Sequence, residues 1–597
     1  MSENNWPNLI AMFFDQVEKQ GEHPFLWAKR DGKFRPLTWR EVAAQVIELA
    51  HGLQALGVKD GERVVLVSEN RPEWLIADLA IMAAGGVTVP AYTTNTVDDH
   101  RHIVDHSQAV GMIISTPKLA EKALQAAHLS DLTRFAVMME EVDLQQGLNV
   151  EVMSWQAALN RTSMSQTNIV EQAQSFKRTD TACIIYTSGT GGTPKGVMQS
   201  HAAIMHNLVG ATAVLEKLGL SNEVFLSFLP LSHSYEHTAG QFWPMSLGAQ
   251  IYYAEGADQL LSDMAEVKPT IMMAVPRLYE MMHLRITRGV KKQGGKKEAL
   301  FNKTVALGAR AFETPEKMTL LQKLQNAVLE RLVRQKVRLR FGGRLKAFVS
   351  GGAPLNPDIG LFFTALGVRI LQGYGQTESG PVLCVNVPEK VKMNAVGPIF
   401  PNSEVRIADD GEILIRGDLV MNGYWRDEEA TRNTIVDGWL HTGDIGLIDE
   451  DGHLRITDRK KDMIVNPGGD NIAPARVEGQ LTIEPEIAQV MTYGDKRPYL
   501  VAVVVPEQTF IEEWAAAHNA EPTLAAIKED KEFVKAVGAA VDRGNARLSQ
   551  SEKVRRFLIA DEAFTTENTM MTPTLKLKRH LIKDAYGNRL ANLYARN

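Results

Sequence analysis

The chain has 597 residues, 44% of them hydrophobic, and a formal net charge of −6. This length exceeds what one hydrophobic core supports, so we expect two or more domains of an ordinary globular protein. The acidic balance argues against a nucleic-acid partner, and two cysteines are too few for a disulfide framework or a cysteine-rich zinc site.

The amino terminus and the hydropathy pattern bear on location. Residues 1–6 lack the basic and apolar pattern of a secretory signal. The sequence has no uninterrupted apolar stretch of about 18 residues, so no membrane span is predicted. Together with the small number of cysteines, these features predict a cytoplasmic protein.

The first part of the chain alternates helical and strand-like segments. Residues 39–58 have the apolar spacing of a helix, and Gly57 fits its end. Short β-like runs lie at residues 63–67, 111–114, 224–229 and 270–274. This alternation predicts an α/β fold with largely parallel strands, whose ligand sites lie beyond the carboxyl ends of the strands.

A loop rich in glycine and hydroxyl side chains occupies residues 186–197, directly after the apolar run 181–185. Glycines permit close backbone approach, so free N–H groups and hydroxyls can surround a phosphate while a lysine adds charge. The residues that we assign to this role are Ser188, Gly189, Thr190, Thr193 and Lys195. A solvated linker is the alternative, but linkers do not usually follow buried strands.

This loop differs from the two common nucleotide loops. Walker A places its lysine after a glycine and before Ser or Thr, whereas Lys195 lies between Pro194 and Gly196. The glycine spacing also lacks the helix start and the ribose-binding acid of a dinucleotide fingerprint.

Basic side chains far outnumber acidic ones between residues 291 and 346, and part of this segment has helical apolar spacing. A solvated helix face is one interpretation. Peripheral attachment to anionic lipid headgroups is the other.

Two segments could hold a nucleotide. Residues 350–354 place Gly352 and Ala353 after a strand-like run, where they could form a flat wall for a planar base; a tight turn is the alternative. In residues 372–378, a tyrosine offers a stacking face, a threonine offers a hydroxyl and a glutamate offers a hard oxygen ligand for Mg²⁺. These three residues are Tyr374, Thr377 and Glu378.

The last third of the chain becomes rich in β-hairpin patterns. Two hairpins are predicted within residues 404–415 and 446–456, and Asp444, just before the second, could accept hydrogen bonds from two ribose hydroxyls. Beyond the charged residues 458–462 lies a small α+β unit. We therefore expect a large domain over residues 1–457 and a smaller one over residues 458–597.

The motifs follow one another in a fixed order, at residues 186–197, 374–378, 442–444, 458–462 and 572–579. This order resembles that of the adenylate-forming (AMP-binding) superfamily, and the resemblance covers nearly the whole chain. The phosphate loop of that family usually reads S-G-T-T-G, so Gly191 is a departure. Because Thr190 is retained, we expect phosphate binding to survive.

The resemblance implies a site for ATP and Mg²⁺. Each assigned residue matches a family motif: Gly352, Ala353 and Tyr374 for adenine, Asp444 and Arg459 for ribose, Thr190, Lys195 and Thr377 for the phosphates, and Glu378 for Mg²⁺.

The resemblance also assigns the catalytic and moving parts. Lys576 is matched to the catalytic lysine, with Lys578 as a competing choice. Asp458 matches the hinge before a mobile C-terminal domain, and the loop with Gly468 and Gly469 would line the thiol path of coenzyme A. His233 is either a gate or orienting residue of the acyl site or a half-buried structural histidine.

Within the family, the chain looks most like long-chain fatty acyl-CoA synthetases, including bubblegum-type relatives. This resemblance rests on the size of the chain, an insertion after Arg288, and the motifs at residues 230–236 and 468–472. The implied reaction joins a fatty acid to ATP as acyl-AMP and then transfers it to coenzyme A. The alternatives are a different carboxylic acid, a carrier-protein acceptor, or a noncatalytic acyl-adenylate or lipid-binding protein.

Overall fold

The structure is a computed structural model that describes residues 6–142, 149–161, 168–187, 193–256, 258–467, 471–572 and 576–595. Two eight-stranded sheets, one six-stranded sheet and two small sheets organise these residues. The predicted α/β class, with a large N-terminal part and a small α+β C-terminal part, is confirmed.

The first eight-stranded sheet carries the predicted phosphate loop. Its strands run, from edge to edge, Gly423–Tyr424, Lys195–Ser200, Thr181–Thr187, Val87–Ala91, Arg63–Val67, Ala109–Ile114, Phe135–Met138 and Glu151–Ser154. The pairings are parallel from Thr181–Thr187 onward, but Lys195–Ser200 pairs antiparallel with both of its neighbours. The loop therefore joins two antiparallel strands.

Helices accompany this sheet along the chain. They span Leu9–Gln20, Trp39–Ala55, Pro72–Ala83, Val97–Ser107, Pro117–His128, Trp155–Leu159, Ile169–Ser175 and His201–Leu215. The second of these was predicted within residues 39–58 with Gly57 at its end. Its C-cap is Leu56, and Gly57 takes a φ of +83°, which favours glycine, so the predicted stop is confirmed.

The second eight-stranded sheet packs against the other side of the main core. Its strands run Cys384–Val385, Ile370–Tyr374, Ala347–Ser350, Ile271–Ala274, Val224–Ser227, Gln250–Tyr253, Pro24–Arg30 and Lys33–Thr38, with parallel pairing except at the two ends. Its helices span Trp243–Ser246, Leu260–Val267, Pro276–Gln293, Gly295–Glu313, Leu320–Leu329, Gln335–Arg340 and Pro357–Ala365.

The main core lies between these two sheets. The helix Pro72–Ala83 contacts strands of both sheets, and every one of its residues except Glu73 is buried. A helix that is buried on all sides is typical of a core element. Phe242 and Trp243 pack in this core, where the Trp243 indole N–H donates to the Thr212 hydroxyl at 3.0 Å.

The predicted hairpins form a separate antiparallel sheet. Its strands run Gly397–Pro398, His453–Arg459, Trp439–Ile448, Glu412–Arg416 and Glu404–Ile407, with Ile435–Val436 paired beside Trp439–Ile448 and the helix Glu428–Thr434 nearby. Asp444 and Arg459 face each other across two of these strands. This register brings two distant motifs together.

The C-terminal part has its own core. Its strands are Ile464–Val465 with Asn471–Ile472, and Ile487–Tyr493, Leu500–Pro506 and Val554–Ile559. Its helices are Pro474–Leu481, Gln508–His518, Leu524–Ile527, Lys531–Asn545 and Arg579–Ala595. In the described part of the chain, no helix combines the length and apolarity needed to cross a membrane.

A buried hydrogen bond connects the two large sheets near the predicted site. His237, in the π-helix Glu236–Phe242, contacts Asp78 of the helix Pro72–Ala83 at 2.8 Å, and both side chains are fully buried. The other ring nitrogen of His237 lies 3.9 Å from the sulfur of Cys183, on the strand that leads to the phosphate loop. His237 thus fixes the segment after His233 against both the helix Pro72–Ala83 and that strand.

We expect Asp78→Ala to lower the free energy of unfolding by about 2–3 kcal/mol, because it leaves a buried imidazole N–H without an acceptor. Urea denaturation followed by fluorescence would measure this. Asp131→Ala, at an exposed position, is the control and should change stability by less than about 0.5 kcal/mol. Equal stability of the two variants would contradict the structural role of the pair.

Candidate active site

A buried carboxylate, Asp444, contacts residues of two other motifs, and we call the space beside these contacts the cleft. The hydroxyl of Tyr374, at the end of the strand Ile370–Tyr374, donates to its Oδ2 at 2.6 Å. The guanidinium of Arg459 lies 3.2 Å from its Oδ1. Burial raises the pKa of Asp444, while Arg459 and Tyr374 oppose this rise. The three residues form one polar cluster at the carboxyl end of a parallel strand.

A second carboxylate, Glu378, follows in the short turn Thr377–Ser379. Its Oε1 accepts a hydrogen bond from the hydroxyl of Tyr424 at 2.9 Å. The ring of Tyr424 in turn lies 4.9 Å from the ammonium group of Lys195, close enough for a cation–π contact. Tyr424 therefore lies between the glutamate and the lysine of two separate motifs.

Lys195 opens the strand Lys195–Ser200 at the end of the phosphate loop. Its ammonium group lies 3.8 Å from Asp427 and borders a cavity of about 300 Å³. Thr193, His102 and His106 also line that cavity. Ser188, Gly189, Thr190 and Gly191 lie outside the described residues, so their predicted contacts are not part of this geometry.

Thr377 is held between two elements. Its hydroxyl contacts that of Ser234 at 3.0 Å, and its carbonyl accepts from the side-chain amide of Gln199 at 2.7 Å. Gln199 belongs to the strand Lys195–Ser200, so this contact fixes the turn with Glu378 against the phosphate-loop hairpin.

His233 is half-buried one residue before Ser234. Its Nδ1 accepts the backbone N–H of Tyr235 at 3.1 Å. Burial, together with the charge of Lys576, lowers the pKa of His233 to about 3. The imidazole is therefore neutral near pH 7, with its proton on Nε2.

Lys576 projects into the same cleft from the C-terminal part. Its backbone N–H donates to the Thr572 hydroxyl at 3.0 Å, and its carbonyl accepts the Thr572 N–H at 2.8 Å. The side chain is open to the cleft, but the protein around it and the charge of Arg459 lower its pKa to about 8. Asp444 and Glu378 act in the opposite direction. The last motif thereby joins groups from three of the other four motifs, Glu378, Asp444 and Arg459.

Gly352 and Ala353 lie at an exposed edge of the cleft after the strand Ala347–Ser350. Gly352 takes a φ of +81°, a conformation that favours glycine. A side chain at Gly351 would come within 3.0 Å of the ring of Tyr235, so the backbone must pass close to this tyrosine. The predicted flat wall is therefore backed by an aromatic ring.

Asp458, the predicted hinge residue, is buried near the end of the strand His453–Arg459. Its Oδ1 accepts the backbone N–H of Arg459 at 2.6 Å, and its buried Oδ2 has no partner in the described part of the chain. Burial raises its pKa to about 6; Asp462 and Glu478 add to this, and Arg579 opposes it. Gly468 and Gly469 lie outside the described residues.

Sequence reasoning missed Tyr424, His102 and His106. Tyr424 reaches the site because the strand Gly423–Tyr424 pairs with Lys195–Ser200, more than two hundred residues away in sequence. The two histidines occupy neighbouring turns of the helix Val97–Ser107. Their spacing could have indicated a shared helix face, but not that this face borders the phosphate loop.

Comparison with known proteins agrees with this geometry. A family model described as AMP-binding enzyme matches residues 13–425, and one described as AMP-binding enzyme C-terminal domain matches residues 461–597.

Two curated relatives are similar along most of their length. Long-chain-fatty-acid–CoA ligase FadD15 of Mycobacterium bovis is 33% identical, covering 98% of this chain and 97% of the relative. Long chain acyl-CoA synthetase 6, peroxisomal, of Arabidopsis thaliana is 32% identical, covering 94% of this chain and 82% of the relative.

Solved structures share the fold. The adenylation domain of a carboxylate reductase from Mycobacterium chelonae has a TM-score of 0.77 at 22% identity, covering 100% of this chain and 92% of that one. An anthranilate CoA ligase, in complex with anthranoyl-AMP, has a TM-score of 0.73 at 20% identity, covering 98% of each chain.

Proposed function

The chain belongs to the AMP-binding enzymes, and from this membership we propose that it is an ATP-dependent long-chain fatty acid–CoA ligase. In the first step the carboxylate of the fatty acid attacks the α-phosphorus of ATP, forming acyl-AMP and releasing pyrophosphate. In the second step the thiol of coenzyme A attacks the acyl carbonyl, forming the thioester and releasing AMP. The curated relatives carry this activity in their names.

One observation carries the proposal: Lys576, Arg459, Asp444 and Glu378 interact electrostatically in a single cleft. A carboxylate that approaches a polyphosphate meets strong negative repulsion, so positive groups fixed in advance lower the barrier. We assign ribose binding to Asp444 and Arg459. We assign stabilisation of the transition state of the first step to Lys576. The position of Lys576 favours it over Lys578.

The remaining nucleotide contacts follow from the same cleft. We assign adenine to the wall of Gly352 and Ala353 and to Tyr374, and the phosphates to Thr377, Lys195 and the phosphate loop. His233, neutral and half-buried beside Ser234, is proposed to orient the acyl carboxylate through its Nε2–H.

Glu378 fits a magnesium site. Its carboxylate retains acceptor capacity beyond the bond from Tyr424, and the described residues contain no cluster of three or more metal-binding side chains. Mg²⁺ is commonly held by one or two carboxylates together with substrate phosphates, which matches a single glutamate. The ion would supply positive charge that offsets the repulsion between the reactants.

We also propose that residues 458–597 rotate between the two steps. Asp458, near the end of a strand of the six-stranded sheet, would act as the hinge, and the rotation would withdraw Lys576 from the cleft. The loop with Gly468 and Gly469 would then line the path of the coenzyme A thiol. A peripheral membrane contact of residues 291–346 belongs to the same proposal.

The function is tested by pyrophosphate release across a panel of saturated, aromatic and amino acids, with and without coenzyme A. We expect release with long-chain acids and full turnover only when coenzyme A is present. A preference for an aromatic acid or an amino acid would show that the substrate is not a long-chain fatty acid. Release that coenzyme A does not accelerate would favour a carrier-protein acceptor, and no release with any acid would favour a noncatalytic lipid-binding protein.

We expect Tyr374→Phe to raise the KM for ATP about 5- to 10-fold with little change in kcat, because the ribose-binding carboxylate loses a hydrogen bond from its buried side. Initial rates of pyrophosphate release against ATP concentration would measure this. Tyr594→Phe is a matched control, since its hydroxyl donates to backbone carbonyls remote from the cleft. A similar KM in all three proteins would remove Tyr374 from the nucleotide site.

A further inference from the structure

A row of apolar side chains faces solvent along one helical segment. The segment consists of Leu320–Leu329, a π-helical turn at Glu330–Arg334 and Gln335–Arg340. We call its six exposed apolar residues the leucine ridge: Leu320, Leu321, Leu324, Val328, Leu332 and Leu339, which are 85, 64, 65, 50, 48 and 68% exposed. At the α-helical rotation of about 100° per residue, the four ridge residues within Leu320–Leu329 fall within an arc of about 100°.

Exposed large apolar residues are rare elsewhere in the described chain. Seventeen are found among the described residues, and the ridge holds six of them within 21 positions. Scattered single leucines on a surface are ordinary, but a contiguous apolar stripe is typical of a surface that meets another apolar phase.

The opposite face of the segment already has partners. Leu329 packs with Leu307 and Met318 in a small buried cluster. The buried guanidinium of Arg334 donates to the carbonyls of Ala365 at 2.6 Å and Thr304 at 3.2 Å. These contacts fix the helix against the protein, so the ridge points away from it.

Positive charge flanks the ridge. Residues 320–340 contain six basic side chains and one acid, Glu330, which pairs with Arg334 and Arg338. Exposed basic residues remain beside the ridge and at the neighbouring helix junction: Lys323, Arg331, Lys336, Arg340, Lys291, Lys292, Lys296 and Lys297. This local excess of positive charge contrasts with the net charge of the whole chain, which is −6.

We propose that the leucine ridge inserts into the interface of an anionic lipid bilayer, with the flanking lysines and arginines against the headgroups. An apolar stripe between basic residues is the pattern of an interfacial helix. A second copy of the chain is a poorer partner, because two such faces would bring like charges together. This inference rests on the peripheral membrane contact proposed above for residues 291–346 and assigns it to the ridge, but it does not depend on which acid the enzyme activates.

The test uses the full chain with vesicles of phosphatidylcholine alone or mixed with phosphatidylglycerol, and measures co-sedimentation. We expect binding to the mixed vesicles, with part of it retained at about 0.5 M salt, where exposed charge contacts are screened. The triple variant Leu321→Ser, Leu324→Ser, Leu332→Ser should bind about 50- to 100-fold more weakly, because three apolar side chains no longer enter the bilayer.

Two further variants separate the contributions. Leu129→Ser, Leu132→Ser, Val209→Ser removes three apolar residues that are 52, 45 and 57% exposed elsewhere, and it should bind as the wild type does. Lys323→Glu, Arg331→Glu, Lys336→Glu should lose the preference for anionic lipid. Circular dichroism and sedimentation velocity would establish that each variant folds and in what oligomeric state.

The proposal is overturned if the leucine triple variant binds vesicles as the wild type does. It is also overturned if salt abolishes all binding, since insertion would then contribute nothing. A wild-type dimer that the leucine triple variant converts to monomer, with vesicle binding unchanged, would show that the ridge is an interface between copies of the chain.

Discussion

Replacing Lys576 by alanine is expected to slow acyl-adenylate formation about 10²- to 10³-fold, the usual loss when one preorganised charge is removed from a transition state. The side chain projects into the cleft beside Asp444 and Glu378, where the attack on ATP would occur. Thioester formation from supplied acyl-AMP should change by less than about three-fold, because the proposed domain rotation withdraws the lysine. Single-turnover pyrophosphate release and acyl-CoA formation measure the two steps separately.

Lys578→Ala serves as the matched control, because it removes the same charge two residues away. We expect it to retain most of the first-step rate. The assignment fails if the Lys576 variant loses both steps equally. A normal Lys576 variant with an inactive Lys578 variant would move the catalytic role to Lys578.

The pH dependence of the first step provides an independent readout for Lys576. Because desolvation by the surrounding protein and the charge of Arg459 lower the pKa of Lys576 to about 8, the ammonium form predominates below about pH 7 and is lost as the pH rises through 8. The first-step rate should therefore fall above pH 8. The activity that remains in Lys576→Arg should lack this fall, since a guanidinium keeps its charge. A wild-type rate that stays constant to pH 9.5 would contradict the role.

Glu378→Gln is expected to reduce turnover about 100-fold at ordinary magnesium concentrations. The amide keeps the shape and can still accept the hydrogen bond from Tyr424, but it loses the negative charge that is proposed to hold the ion. Raising Mg²⁺ should recover part of the rate, and titration of Mg²⁺ at fixed ATP measures the shift.

The control for Glu378 is Glu429→Gln, which removes an exposed carboxylate from the nearby helix Glu428–Thr434. Its magnesium profile should match that of the wild type. If the Glu378 variant loses activity with an unchanged magnesium profile, the carboxylate acts through its hydrogen bond to Tyr424 rather than through the metal.

The elements with clear periodicity were predicted correctly from sequence. The strand Arg63–Val67 has the predicted bounds, and the hairpins of Glu404–Ile407 with Glu412–Arg416 and of Trp439–Ile448 with His453–Arg459 are confirmed. These predictions depend on the local alternation of apolar residues and on turn-forming residues. Both signals lie within a short stretch of sequence.

Contacts between distant strands were not predictable in the same way. No local pattern indicates that Tyr424 lies between Lys195 and Glu378, because that contact depends on the pairing of two strands far apart in sequence. The same limit applies to the leucine ridge. Helical spacing predicted an amphipathic segment, but which face would remain exposed depends on Leu329 and Arg334 finding partners on other helices.

The roles of the site residues remain predictions, although the structure brings many of them together. Thr377, Glu378, Asp444, Arg459 and Lys576 share one cleft. The neutral state of His233 could not be read from sequence, because it results from burial and from a lysine more than three hundred residues away.

The protonation state of Asp458 should affect the position of the C-terminal domain. Its pKa of about 6 in this arrangement, against an ordinary value of 3.8, means that the ionised carboxylate disfavours the arrangement by up to about 3 kcal/mol above pH 6. Below about pH 4 the group is protonated in either arrangement, and the penalty disappears. Ionisation at neutral pH therefore favours any rotation that exposes Asp458 to water, and acidification favours the arrangement described here. If the proposed rotation separates the two half-reactions, their balance should depend on pH through Asp458 as well as through Lys576.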